Sequence, residues 1–182
     1  VTIVGPAEGR LASGLVGAGR LVEPTEIVGH ISAVLGRKGD LAGYTLVVSA
    51  GGTQEPVDPV RTLTNRSSGK MGYALAAEAA AQGARVTLIS GPVNLPTPQG
   101  VERLNVETAV QMHTAALELA PQAALFIGCA AVADYRAANA AEHKLKKTDD
   151  QDTLTLTLVK NPDIIADVAA LPDGQRPFVG GF

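Results

Sequence analysis

Two stretches of this 182-residue chain combine residue types suited to phosphate chemistry: "TNRSSGKMG" at 64–72 and "EHKLKK" at 142–147. The first looks like a P-loop, but Walker chemistry needs a glycine five residues before Gly69 and a Ser or Thr after Lys70. Those positions carry Thr64 and Met71, so Lys70 is not a Walker lysine. What remains is a helix start, whose free N–H groups suit an anion. In the second stretch, Lys144, Lys146 and Lys147 form the one dense positive patch, suited to screening polyphosphate charge. A plain solvated face is the alternative.

Three more segments belong with these. In "AGGTQEPVDPVR" (50–61), Gly51 and Gly52 let a backbone approach a ligand. About fifteen residues then separate the glycine turn from the next helix, a length more often functional than idle; rigid extended proline geometry is the bland alternative. In "GCAAVADYR" (128–136), Gly128, Cys129 and Ala130 make room for a planar ring or a sugar. Asp134 there suits hydroxyl contacts or magnesium, or is a turn residue. In "VKNPD" (159–163), Val159, Lys160, Asn161 and Pro162 lead into a helix start that binds an anion or is simply capped. His30, His113 and His143 show no metal-ligand spacing. A single cysteine excludes internal disulfides and a thiolate zinc site.

The elements that must position these residues follow from periodicity. Segments 44–53, 84–91, 101–106, 123–135 and 177–182 read as strands, and 153–159 alternates as a half-exposed strand does. Segments 24–36, 67–83, 108–120 and 161–171 read as helices, with N-caps at Ser68, at Thr108 or the residue before it, and at Asn161, and a glycine stop at Gly83. His113 reads as surface or filler on its helix. Residues 1–23 are glycine-rich with little periodicity. Strand–helix–strand repetition predicts an α/β fold: a Rossmann-like, doubly wound, mostly parallel sheet with helices on both faces. Ligands in such sheets bind beyond the carboxyl ends of the strands, which gathers the candidate loops and Phe182 onto one rim.

Composition agrees. The chain is 46% hydrophobic and 3% aromatic, with no tryptophan, as suits close-packed helices on a sheet. A net charge of −3 argues against nucleic acid as a main partner. No apolar run reaches the ~18 residues of a membrane span. The opening lacks a basic and then apolar leader, and lone-cysteine usage suits a reducing cytoplasm.

Taken together, "AGGTQEPVDPVR", "NRSSGKMG", "GCAAVADYR", "HKLKK" and "LVKNPDI" closely resemble the phosphopantothenate–cysteine ligase domain of coenzyme A biosynthesis. The resemblance implies a ligase domain over 41–182, incomplete at its C-terminus. Residues 1–40 resemble the tail and linker of the flavin-dependent decarboxylase commonly fused ahead of it, whose FMN belongs to that other domain. Ser13 stands where such decarboxylases often carry a proton-donating cysteine.

The implied substrates are 4′-phosphopantothenate, L-cysteine and CTP with Mg2+ held through the nucleotide phosphates. The implied route passes through an acyl-cytidylate. By motif, Lys144 matches the lysine of the first step and Asn65 the asparagine that holds the acyl intermediate. Gly128, Cys129, Ala130, Asp134, Lys144, Val159, Lys160, Asn161, Pro162 and Phe182 fall where the family contacts CTP. Gly51, Gly52 and Arg61 are substrate-loop candidates. The family also implies a homodimer through this domain and a higher oligomer in the full-length protein. A non-catalytic nucleotide-binding or assembly fragment stays open as the other class. A dinucleotide-dependent reductase does not fit, because the glycine fingerprint is absent and "VTLISGPVN" ends without an acid.

Overall fold

The computed structural model of the chain describes residues 2–146 and 153–182. It begins with an antiparallel hairpin of β1 (Ala7–Arg10) and β2 (Val16–Arg20), in a segment whose glycines hide any strand periodicity. Helix α1 (Pro24–Leu35) follows with its proline in the first turn, as the spacing predicts. Ile27, Ile31 and Leu35 recur at the spacing of an apolar stripe, but it is not a core face, for Ile31 is 51% and Leu35 77% exposed.

β3 (Thr45–Ala50) is the first strand of the main sheet. The long connection after it is not structureless. It folds as an antiparallel hairpin of β4 (Gln54–Asp58) and β5 (Arg61–Thr64). Periodicity missed this hairpin because Pro56 and Pro59 argue against a paired strand. A proline is tolerated here since the hairpin is a two-stranded ribbon outside the main sheet.

Helix α2 (Lys70–Ala81) starts one residue later than its serine predicts. Gly69, left-handed at φ 72°, is its N-cap and no side chain caps it. β6 (Arg85–Ser90) and β7 (Val101–Asn105) come next. Helix α3 (Ala109–Leu119) is capped by Thr108, with Gln111 completing a reciprocal capping box. β8 (Leu125–Gly128) is shorter than the 123–135 reading, and β9 (Tyr135–Ala137) is a separate strand.

β9 pairs antiparallel with β10 (Leu158–Lys160) outside the main sheet. The alternating "TLTLTLV" is therefore strand only at its end, and its described residues are exposed because no face of it meets a core. Helix α4 (Ile164–Ala169) is capped by Asp163, whose Oδ1 accepts from the Ala166 amide, and not by Asn161. β11 (Phe178–Gly181) ends the sheet.

The main sheet is five parallel strands in the order β11–β8–β3–β6–β7. Side-chain alternation splits its core in two. Leu46, Val48 and Leu88 face α2, packing on Tyr73, Ala76 and Ala80. Val47, Ile89 and Phe126 face α3 and α4, packing on Met112, Ala116 and Val168. Both faces of β3 are thus buried, which is why its sequence runs apolar without alternation. His113 is more than filler: its Nε2 meets Asp167 Oδ2 at 2.7 Å and ties α3 to α4.

Past the sheet, the turns after β3 and β6 press together. Gly51 needs its left-handed φ of 82°, and a Cβ on Gly91 would lie 2.3 Å from the Gly52 carbonyl oxygen. Replacing Gly91 by Ala forces backbone apart, so we expect a loss of about 1–3 kcal/mol in urea unfolding. A change within experimental error would mean the turns are not held this closely.

Candidate functional site

The chain winds from β3 out through β6 and β7, then returns across the sheet to β8 and β11. The direction of winding therefore reverses between β3 and β8. At such a switch point neighbouring loops part and leave a crevice above the strand ends.

Here one wall of the crevice is nailed to the end of β3. The Cys129 amide donates to the Ser49 carbonyl at 3.2 Å and the Ala131 amide to the Gly51 carbonyl at 2.8 Å. Buried hydroxyls do the rest: the Ala130 amide donates to Ser49 Oγ at 3.3 Å and the Ala133 amide to Thr53 Oγ1 at 3.0 Å. A small-residue loop has no side chains of its own to anchor it, so these bonds set its path.

The facing wall is stapled by Asn161. Its Nδ2 donates to the Ala133 carbonyl at 2.8 Å, and its backbone N–H to the Asp134 carbonyl at 2.8 Å. The Arg136 guanidinium, in turn, donates to Asn161 Oδ1 at 2.9 Å and to the Lys160 carbonyl at 2.8 Å. Between the walls lies a cleft of about 620 Å³, bounded by Ala130–Tyr135 on one side and Lys160–Ile165 on the other.

Of the candidate residues, Ala130, Asp134, Lys160, Asn161 and Pro162 line this cleft together. Gly128 sits at the end of β8 beneath it, and Phe182, 81% exposed, follows β11 with its amide on the Gly128 carbonyl at 3.1 Å. Val159 belongs to β10 and does not line the cleft. Cys129 is half-buried, and burial pushes its thiol pKa up, away from thiolate reactivity.

Asn65 is brought to the cleft's first wall: its Nδ2 donates to the Val132 carbonyl at 3.0 Å. Thr64, just before it, anchors the end of β5 by donating its hydroxyl to the Thr53 carbonyl at 2.7 Å. Gly51 and Gly52 lie beneath this lip, and a Cβ on Gly52 would come within 2.8 Å of the Asn65 carbonyl oxygen.

Lys144 is exposed and does not line the cleft. It sits on the loop after β9, which is tied to the β4–β5 hairpin, and Lys147 lies outside the described residues. The ties are the Ala141 amide to the Val57 carbonyl at 2.9 Å and the Leu145 amide to Asp58 Oδ2 at 3.1 Å. Arg61 is occupied in the same place. Its guanidinium donates to Asp58 Oδ2, through Nε at 2.9 Å, and to the Leu145 carbonyl at 2.7 Å. Sequence reasoning passed over Asp58, although an Asp-Pro pair opening a tight turn was a legible signal. It had no means of finding Ser49, Thr53 and Arg136, whose partners lie far off in sequence.

Asp58 is a buried carboxylate. The hydrogen bond from Arg61 holds its pKa well below the usual carboxylate range, with help from the Val60 and Leu145 amides and against the opposing effect of burial.

In fold and site, then, the chain is a Rossmann-like doubly wound α/β domain with a ligand-sized cleft at its switch point. It belongs to the family described as the DNA/pantothenate metabolism flavoprotein C-terminal domain, whose model matches residues 41–182. Over 178 residues it is 54% identical to the coenzyme A biosynthesis bifunctional protein CoaBC of Vibrio cholerae, across 98% of this chain and 44% of that protein. It thus spans less than half the length of that relative. The crystal structure of the C-terminal domain of a CoaBC matches with a TM-score of 0.64 at 36% identity, covering 75% of this chain and 62% of that one. A Cab2 mutant solved in complex with phosphopantothenate-cysteine shares the fold, with a TM-score of 0.54 at 17% identity, over 80% of this chain and 64% of that one.

The depressed Asp58 pKa has a measurable sign. A lowered folded-state value stabilises above the unfolded carboxylate value of about 3.9, and that contribution fades as pH falls through and below it. The stability gap between wild type and Asp58→Asn should therefore be widest near neutrality and narrow on acidification, in urea unfolding at a series of pH values. A constant gap would contradict the charged clamp.

Proposed function

We propose that this chain is the ligase part of a longer coenzyme A biosynthesis protein, joining 4′-phosphopantothenate to cysteine at the expense of CTP. The observation that carries this reading is the convergence of loops 130–135 and 160–165 on one switch-point cleft, with Asn65 bonded to its wall. Family membership and the CoaBC relatives support it.

Carboxylates are poor acyl donors, so the reaction begins by making a leaving group. The pantothenate carboxylate attacks the α-phosphate of CTP, forming an acyl-cytidylate and expelling pyrophosphate. The cysteine amine then attacks that acyl carbon, and CMP leaves as the amide forms. Catalysis of both steps is largely positioning and charge stabilisation.

The cleft suits a nucleotide on chemical grounds. Ala130 and its neighbours present backbone groups and small side chains to a planar base, with Gly128 and Cys129 at the strand end behind them. The exposed Phe182 ring, after β11, suits stacking on that base. Asp134 suits the ribose hydroxyls. Lys160, Asn161 and Pro162, with Val159 before them, form the wall facing the phosphates.

Lys144 supplies positive charge at the α-phosphate in the first step. The Asn65 side chain, at the lip of the cleft, holds the acyl oxygen in the second. Gly51 and Gly52 keep the lip low enough for the substrate to lie across it.

Magnesium fits such a site as a companion of the triphosphate. Among the described residues no three His, Cys, Asp or Glu side chains gather into a metal cage. Mg2+ in nucleotide sites is commonly held by substrate phosphates and one or two carboxylates, and Asp134 is the cleft carboxylate not committed as a helix cap. It would supply charge neutralisation of the triphosphate.

The flavin of the family description belongs, on this reading, to the rest of the longer protein. The enzyme works in the cytoplasm as a homodimer through this domain and as a higher oligomer at full length. Among the described residues no helix is long and apolar enough to cross a membrane.

Two substitutions in the full-length protein separate the steps. Lys144→Gln should lower CTP-dependent pyrophosphate release by a factor of about 100 or more, as loss of a charge stabiliser does. Asn65→Ala should leave pyrophosphate release within a few-fold while the amide product falls by about 100-fold. Normal release from Lys144→Gln, or normal amide formation by Asn65→Ala, would refute the respective role. Measuring the same release with ATP in place of CTP tests the base preference, which we expect to be strong.

A further inference from the structure

We propose that Asp58 is a positioning residue for Lys144, acting through Arg61 and the backbone of Leu145. The inference rests on the reading above, in which Lys144 acts at the nucleotide α-phosphate. Three observations carry it.

The first is where the carboxylate sits. Asp58 stands at the turn of the β4–β5 hairpin, a place where carboxylates ordinarily face water, yet its side chain is 0% exposed. A buried charge is retained only where partners compensate it.

The second is what those partners are. One carboxylate oxygen accepts the Val60 amide at 2.9 Å and shapes the turn. The other accepts Arg61 Nε at 2.9 Å and the Leu145 amide at 3.1 Å. Arg61 then donates to the Leu145 carbonyl at 2.7 Å. Both backbone polar groups of Leu145 are therefore held by one ion pair. A turn needs only the Val60 bond; the bonds to Leu145 reach a segment 84 and 87 residues away in sequence and do nothing for the hairpin itself.

The third is that, among the described residues, this loop has few other anchors. Between β9 and Lys146 the described backbone has no regular secondary structure. Its remaining ties are the Ala138 amide to the Thr157 carbonyl and the Ala141 amide to the Val57 carbonyl. Both precede Lys144, so the Asp58–Arg61 pair is the last described hold on the loop.

The consequence is specific to lysine. Its four-carbon stem carries large rotamer entropy, and a point charge stabilises a transition state only if it arrives at the right place. Fixing the peptide next to Lys144 confines the origin of that stem. The side chain keeps its own freedom, but the search volume of the ammonium shrinks. Arg61 thereby takes a second duty beside any contact with substrate: its fork grips the loop.

The test uses Asp58→Asn in the full-length protein. This change keeps the shape of the side chain and removes the charge that holds Arg61 and the Leu145 amide together. Trypsin cleavage after Lys144, followed by mass spectrometry, should accelerate by about tenfold or more, while cleavage after Arg85 in the central sheet stays unchanged. In the same variant, kcat for pyrophosphate release should fall by about tenfold, with KM for the nucleotide within about threefold. Amide formation from preformed acyl-cytidylate should stay within about twofold, since Asn65 is anchored separately.

Unchanged cleavage after Lys144 overturns the latch. Faster cleavage with unaltered pyrophosphate release overturns the positioning role. Equal loss in both half-reactions, with Arg85 also exposed, would mark a general structural role and overturn it too. If Asp58→Asn does not fold, Asp58→Glu takes its place: it keeps the charge, displaces the carboxylate from Arg61 and the Leu145 amide by one methylene, and should show the same pattern more weakly. If the wild-type protein releases no pyrophosphate from any nucleoside triphosphate, the ligase reading has failed, and the trypsin comparison alone decides the latch.

Discussion

Beyond Ala50 and Gly128 the two central strands run out, and their continuations must part to leave room for a ligand. They do not part freely. Gly52 and Ala131 keep a single parallel bridge past the strand ends, and Ser49, Gly51 and Thr53 between them accept four amides from residues 129–133. Each such bond contributes only about 0.5–1.5 kcal/mol net, but leaving one of these partly or fully buried amides unpaired costs more. The loop therefore has one affordable path, and the cleft wall inherits the rigidity of β3. Asn65 is hung from this wall through Val132, and Asn161 through Ala133 and Asp134.

The β4–β5 hairpin is the second organising part. It leads into Asn65 at one end and grips the Lys144 loop at the other, so both residues proposed for the two steps depend on one ribbon. The ribbon in turn is fixed to the body. The Gln54 amide donates to the Glu107 carbonyl at 2.7 Å, and the buried Glu55 carboxylate accepts the Ala109 amide at 2.8 Å, at the start of α3. An anion at a helix N-terminus is electrostatically favourable there.

The fold was largely legible. Buried apolar runs at β3, β6 and β8, separated by Ala-rich helices, leave little choice but a parallel sheet with helices on both faces. What escaped was local and had physical causes. The β4–β5 hairpin hid behind two prolines, and the β1–β2 hairpin behind glycines that carry no pattern. Asn161 read as a helix cap because Asn-Pro is a common opening, whereas its side chain is spent on Ala133 and Arg136, leaving the cap to Asp163. The candidate site was legible as a set of loops, since strand ends are where such sheets bind. Its internal wiring was not, because Ser49, Thr53, Asp58 and Arg136 act on backbone groups that only the fold brings near. Lys144 and Asn65 came from resemblance to a known family, and no spacing rule would have paired them.

On the proposed reading the switch-point cleft, and no other surface, receives the nucleotide. Hydrogen–deuterium exchange of the full-length protein with and without CTP and magnesium tests it most directly. The expected result is slowed exchange centred on 128–135 and 159–165 and reaching the Lys144 loop and Phe182, with the Asn65 lip following when 4′-phosphopantothenate is added. Protection centred instead on the groove between α1, α2 and residues 95–99, or no protection at saturating nucleotide, would contradict it.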